Sequence, residues 1–188
     1  MKEARDADLL DALEALQPVS WDGPVWRATR DGRDPLNCGR GRGRWDDGSF
    51  DVLYTSLSDA GAVAEMRYHS ARGQPIPPSK IRYRLYELQA VMSQALEFVD
   101  LPSLKAIGMD ASRYGDLAYS NRGEEYILSQ RIAEAAHFLG FDGLIVPNAR
   151  HASLNAVIFC EQAPMDRLQV VGDRGLIDWI QWRDRIGF

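Results

Sequence analysis

The residues best suited to chemistry lie in a few places along the chain. The first is Gly39-Arg40-Gly41-Arg42-Gly43-Arg44, followed by Trp45-Asp46-Asp47-Gly48. Glycines allow tight turns and close backbone approach, and guanidinium groups bind phosphate or carboxylate in a planar, bidentate fashion. The run lacks the lysine and hydroxyl ending of a P-loop, and it opens no helix as a dinucleotide fingerprint would. What remains is a loop able to hold an anionic small molecule between arginines. The second place is Tyr54 with Glu65. Tyr54 sits at the end of a β-rich segment, and Glu65 falls in the second turn of the following helix, within Ala-Gly-Ala-Val-Ala-Glu-Met. Apolar neighbours withdraw a carboxylate from water and shift its proton affinity; a solvent-facing glutamate is the plain alternative. His69 follows one turn later on the same face. His137 and His151 have no partners at metal-ligand spacing, so no metal is expected, and no GxSxG elbow marks a serine nucleophile. The last place is Pro147-Asn148-Ala149-Arg150 with Asn155, beside a buried strand; an ordinary asparagine turn is the alternative.

Other elements must bring these residues together. A chain of 188 residues suits one domain. With 45% hydrophobic and 26% charged residues it is an ordinary globular chain, which excludes collagen, a disordered tail and a disulfide miniprotein. The net charge of −5 argues against general polyanion binding. Six arginines (27, 30, 33, 40, 42, 44) face two acids (Asp31, Asp34), making a positive segment in an otherwise acidic chain. A general preference for arginine would produce the same pattern on a solvated loop. Cys38 and Cys160 are far apart and read neither as a disulfide framework nor as a zinc site. The acid-rich start is unlike a signal peptide, and no apolar run is long enough for a span, so a cytoplasmic protein without membrane contact is expected.

Hydrophobic spacing predicts helices over 4–16, 59–71 (capped by Ser58), 124–139 (closed by Gly140) and 175–186. It places Ile127, Leu128, Ile132, Ala135, Ala136 and Leu139 on one stripe. Strands are expected at 25–28, 52–56, 81–88, near 95–99, at 143–147 and at 154–161, with an edge pairing at 166–171. Gly73, Pro75, Pro77 and Pro78 break the chain, and 110–122 reads as a polar loop. The irregular order favours α+β over βαβ alternation.

Taken in order, the motifs resemble the RES-domain family, the toxin half of bacterial toxin–antitoxin pairs. They are Trp26-Arg27, Gly43-Arg44-Trp45, Leu53-Tyr54 with Ser56, Ala62 with Glu65, then Gly143 through Arg150, and Asn155-Ala156-Val157-Ile158. They span about 25–160 of the chain, with the helices at 4–16 and 175–186 outside. Two positions depart from the family pattern: Asp46 stands where the family has asparagine after the tryptophan, and Asn148 replaces the serine of Pro-Ser-Ala-Arg. The family's serine role then falls to Asn148 or to Ser129 on the long helix.

The resemblance implies a compact, single-domain α+β, ADP-ribosyltransferase-like fold with a split, mostly antiparallel β core flanked by helices. It implies NAD+ as substrate and a cognate antitoxin covering the cleft. On this view Glu65 stabilises the oxocarbenium-like cation formed as the nicotinamide–ribose bond breaks. Arg27 and Arg44 clamp the pyrophosphate, Tyr54 stacks on the nicotinamide, and Ser129 and Asn148 complete the binding set. Water, phosphate or a host protein could then accept the ADP-ribosyl group, giving a glycohydrolase, a phosphorylase or a mono-ADP-ribosyltransferase. Loops 73–78 and 110–122 could dock such a protein. Two other classes remain: an RNA-binding module stacking bases on Trp45 and Tyr54, and a non-catalytic interaction domain. The acidic remainder argues against the first, and the retained Arg27, Arg44, Tyr54 and Glu65 argue against the second.

Overall fold

A computed structural model describes residues 5–74, 80–117 and 119–187. In chain order its elements are α1 (Ala7–Glu14), β1 (Val19–Arg30), β2 (Val52–Ser56), α2 (Asp59–Ala71), β3 (Tyr83–Glu97), α3 (Leu101–Ala106), α4 (Arg122–Phe138), β4 (Gly143–Pro147), β5 (Leu154–Phe159), β6 (Gln169–Leu176) and α5 (Trp179–Ile186). Pro75, Pro77 and Pro78 lie outside the described residues.

The strands nearly close on themselves. β1 runs antiparallel to β3, with Trp26 opposite Glu87 and Arg27 opposite Tyr86. β2 pairs with β5 and β5 with β4, both antiparallel, and β4 joins the end of β3 in parallel, Ala95 to Glu97 beside Gly143 to Ile145. β1 and β2 then meet at one residue pair, Trp26 with Ser56. β6 adds to the first half of β3. The α+β, mostly antiparallel expectation holds, and the split falls between β1 and β2.

Strand alternation sorts the core into two faces. Val25, Leu53, Leu88, Met92, Ile145 and Ile158 point to the inside of the closing sheet. On the outer face of β4 and β5 pack α1 and α4, through Leu13, Ile132, Ala136, Leu144 and Phe159. On the outer face of β1 and β3 pack α2 and α5, through Ala28, Ala62, Val63, Leu85 and Ile177.

Several expectations change. β1 runs to twelve residues rather than four, through Asp22, Gly23 and Pro24. Pro24 is tolerated because β2 reaches that edge only at Trp26, so no ladder bond is lost there. The strands expected at 81–88 and near 95–99 are one strand of fifteen residues. α3 lies in a stretch the sequence left unread, started by a capping box between Asp100 and Ser103. The edge strand and final helix begin later than expected, at Gln169 and Trp179. Ile127 leaves the buried stripe and is 52% exposed, while its neighbours Tyr126 and Ser129 are buried. The two cysteines, read as unpaired, form a Cys38–Cys160 disulfide. The pairing follows from β2: Gly39 bridges Val52 on one side, while Phe159 lies opposite Val52 on the other. The residues next to each, Cys38 and Cys160, therefore meet at the start of β2.

Candidate active site

Where β1 and β2 diverge, a cavity of about 300 Å³ opens, lined by residues of β1, β2, α2, the Gly-Arg loop and α4. That is the low end of small-molecule sites, enough to enclose part of a ligand rather than all of a large one.

Its floor is α2. Ser58 caps this helix, its Oγ accepting from the Gly61 N–H at 3.0 Å. Gly61 is required where α2 crosses the β4–β5 loop, since an added Cβ would lie 2.3 Å from Ser56 Oγ and 2.5 Å from Ser153 Oγ. This close crossing brings Glu65 into the cavity. Its Oε1 accepts from the Ala149 N–H and from Asn155 Nδ2, both at 3.3 Å. Burial pushes the Glu65 carboxyl above its usual range, against the opposing pull of Arg44, Arg150 and the two donors. His69 Nε2 lies 3.8 Å from Glu65 Oε2. Desolvation on its cavity side, with Arg150, Arg122 and Arg44 around it, lowers the partly exposed His69 to about 4, so the ring is neutral at physiological pH.

Two arginines line the same cavity. Arg27 uses Nη1 to donate to the Pro35 carbonyl at 2.7 Å. Burial lowers it to about 10, and Asp34 offsets this only in part, so it stays charged at neutral pH. Arg44 forms an ion pair through Nη1 with Glu125 Oε1 and lies between the Tyr114 and Tyr126 rings, 4.4 and 4.8 Å from their centroids. In both arginines Nε and Nη2 make no hydrogen bond to the described residues. That side edge is the one that grips an oxyanion with two parallel N–H groups.

The Gly-Arg loop does not act as expected. Its left-handed residue is Arg42, and its backbone cradle is filled by the protein itself. The fully buried Asp46 carboxylate accepts from the N–H of Arg42 and of Gly43, both at 2.7 Å, from Gly48 N–H at 3.2 Å and from the Tyr54 hydroxyl at 3.0 Å. The loop thus binds its own anion and leaves Arg44 to face the cavity. Arg40 turns away, to Asp51 and Glu161.

Of the expected site residues, Arg27, Arg44, Tyr54 and Glu65 come together at the cavity. Tyr54 also braces the loop: its hydroxyl accepts from Trp45 N–H at 2.9 Å, and burial pushes it well above its usual range, Asp46 adding to the effect. Ser129 and Asn148 do not line the cavity. Ser129 is fully buried and its hydroxyl lies 2.6 Å from the Arg44 carbonyl, so it positions Arg44 from behind. Asn148 donates to Asn155 Oδ1 at 2.8 Å, and so orients the amide that reaches Glu65. Trp45 is 1% exposed, so it offers no stacking face to a nucleic acid. His137 stacks on Phe50 and contacts Glu161. Among the described residues no group of His, Cys, Asp or Glu could hold a metal ion, and no helix is long and apolar enough to cross a membrane.

Sequence reasoning misses Glu125, Tyr114 and Tyr126, which fix Arg44. Glu125 reads as an ordinary acid in the first turn of a helix, and no spacing links it to an arginine 81 positions away. Arg150 belongs to a recognised motif, but the sequence assigns it no role.

The fold and cavity define a class: an α+β protein whose nearly closed sheet holds a half-buried carboxylate in one cavity with two arginine edges open to an anionic ligand. The RES domain family model matches residues 24–180, and the chain belongs to that family. It is 24% identical over 177 residues to proteins named NAD(+) phosphorylase MbcT from Mycobacterium bovis and Mycobacterium tuberculosis, covering 90% of this chain and 91% of theirs. Its fold matches a chain in the crystal structure of the M. tuberculosis MbcT–MbcA toxin–antitoxin complex, with a TM-score of 0.79, 20% identity, and coverage of 96% of this chain and 98% of that one.

Proposed function

We propose that this protein is the toxin of a toxin–antitoxin pair and breaks the nicotinamide–ribose bond of NAD+, with phosphate as the acceptor. The observation that carries the reading is Glu65, a half-buried carboxylate held by two donors in one cavity with the bare edges of Arg27 and Arg44. The resemblance to proteins named NAD(+) phosphorylase supports the substrate, and the match to a toxin–antitoxin complex supports an antitoxin partner.

Bond cleavage leaves positive charge on the ribose, and an ionised Glu65 stabilises it where water is scarce. The two arginine edges hold the pyrophosphate and fix the dinucleotide for reaction. Tyr54 presents its ring to the nicotinamide while Asp46 and Trp45 fix its hydroxyl. Nicotinamide leaves neutral, so no general acid is needed. Ser129 and Asn148 act behind the site rather than on the ligand. An antitoxin covering the cavity would silence it, and an enzyme that exhausts NAD+ acts in the cytoplasm.

The test is purified protein with NAD+, followed by chromatography for nicotinamide, in buffer alone, with phosphate, and with lysate plus labelled NAD+. Release that rises with phosphate is the expected result. Label entering a single protein band, with little free release, would replace this reading with a mono-ADP-ribosyltransferase of a host protein.

A further inference from the structure

A second basic wall adjoins the cavity, and the NAD+ site described above makes no use of it. Arg150 is fixed at its backbone, its N–H donating to Asn148 Oδ1 at 2.7 Å. Its Nη1 donates to the Gly115 carbonyl, and its guanidinium lies 3.4 Å from the centre of the Tyr68 ring. Nε and Nη2 are buried and have no hydrogen-bond partner among the described residues. They form the side edge of the guanidinium, two parallel N–H groups spaced for two oxygens of one oxyanion. A buried donor left unpaired is costly, more so when charged, so such an edge in a folded protein calls for a ligand.

The position is specific. Ala149, the residue before Arg150, donates its N–H to Glu65. Tyr68 and His69 sit one turn beyond Glu65 on α2. Arg122 lies 3.7 Å over the Tyr119 ring, and Tyr119 meets Tyr68 edge-on at 5.5 Å, so two guanidinium groups bracket an aromatic pair beside the carboxylate. Neither forms a close ion pair among the described residues: Glu125 is taken by Arg44, and Arg150 acts on Glu65 only at longer range. Arg27 stands on β1 and, with Arg44, is assigned to the pyrophosphate.

We infer that the Arg150 edge, with Arg122 behind it, is the subsite for inorganic phosphate as acceptor. The inference rests on the NAD+-cleavage reading. A lone pair on a phosphate oxygen forms the new C–O bond at the ribose carbon as the C–N electron pair leaves with nicotinamide. The products are neutral nicotinamide and ADP-ribose 1-phosphate, and the proton carried by the phosphate passes to solvent. No electron acceptor is required. Water cannot span the two N–H groups as an oxyanion does, so the subsite favours phosphate over hydrolysis.

The experiment measures nicotinamide release while phosphate and NAD+ are varied separately, for wild type, Arg150→Lys and Arg122→Gln. Lysine keeps the charge but loses the paired edge. Half-saturating phosphate is expected to rise about ten- to a hundredfold in Arg150→Lys, with a smaller rise in Arg122→Gln. Half-saturating NAD+ should move by less than about threefold, since uniform ground-state binding of NAD+ is left in place. Equal shifts for both substrates, or an unchanged phosphate dependence, would overturn the subsite. If Arg150→Lys fails to fold, calorimetry of wild type with inorganic phosphate decides, with ADP-ribose present to fill the Arg27 and Arg44 edges: saturable binding supports the subsite and its absence overturns it. Wild type that releases no nicotinamide under any condition defeats the NAD+ reading itself. Release indifferent to phosphate defeats this subsite and phosphate as the acceptor, and leaves NAD+ cleavage itself standing.

Discussion

The floor and the roof of the cavity are built by different rules. The floor, formed by β1, β2 and α2, is held by backbone pairing and by an apolar stripe of Ala62 and Val63 against Ala28 and Leu85. The roof, formed by the Gly-Arg loop, residues 110–117 and the first turn of α4, is held by side chains bonded to backbone far away in sequence. Asp46 gathers the loop, Ser129 supports the Arg44 carbonyl, and Gln130 donates to the Gly43 carbonyl at 2.7 Å. Gly115 is the pin of the second roof segment. Its N–H donates to Glu125, its carbonyl accepts from Arg150, and its φ of +83° with Ala149 O 2.6 Å from an added Cβ excludes other residues. Packing makes the floor stable, whereas polar satisfaction makes the roof specific. The same substitution chemistry should therefore have different consequences above and below the ligand.

The largest effect is expected at Glu65, where floor and roof meet. Glu65→Gln should cut nicotinamide release by about 10²–10³. The same variant tests the electrostatics. Because burial raises the Glu65 pKa, the folded state holds this proton more tightly than the unfolded chain does. Its stabilising contribution is complete below the ordinary carboxylate value and is lost as pH rises through the raised one. Glutamine never ionises, so Glu65→Gln should melt above wild type at pH 8, with the gap closing at pH 4. A variant that melts lower at pH 8 would mean that the pocket is built for the charge.

A roof substitution should damage both stability and binding. Arg44 and Glu125 are nearly fully buried, and removing one partner of such a pair costs about 3–5 kcal/mol. Glu125→Gln should therefore lower the melting temperature and raise half-saturating NAD+, because the Arg44 edge is no longer aimed. A lower melting temperature with unchanged NAD+ saturation would remove Arg44 from the ligand contacts.

The contrast between floor and roof also explains what is legible in the sequence. Spacing places α2 over 59–71 with a Ser58 cap, and it is found there, because period and cap chemistry are local. Glu65, Arg27 and Tyr54 lie on or beside such elements, and the resemblance to the RES family ties them together. The roof carries no period. Asp46, Glu125 and Tyr114 act across long separations, and nothing in their neighbours announces their partners. Ser129 and Asn148 read as ligand contacts in the sequence, yet the interior claims both, since a buried hydroxyl or amide bonds to whatever backbone it meets. The Cys38–Cys160 pair escapes notice because β2, lying between the two segments, brings the cysteines together.

That disulfide gives an intermediate effect. It links residues 122 apart, and removing a bridge of this kind usually costs about 2–4 kcal/mol. Cys38→Ser, or a reductant, should lower stability by that much and the melting temperature with it. Turnover should stay near wild type, because Asp46, Ser129 and Gln130 hold the loop independently. A matching loss of turnover would make the bridge part of the roof's positioning.

The smallest effect tests the floor alone. Ser58 Oγ satisfies the Gly61 N–H at the start of α2, and losing such a cap costs about 1 kcal/mol. Glu65 lies beyond the first turn, where fraying is confined. Below it, Ala62 and Val63 are buried against β1 and β3, and the Gly61 carbonyl still accepts from Asn148 Nδ2 at 3.3 Å. Ser58→Ala should therefore lower the melting temperature slightly and leave the rate of nicotinamide release unchanged. If release falls severalfold, the register of α2 is set by its cap rather than by its packing. The floor would then depend on polar contacts as the roof does, and the distinction between them would fail.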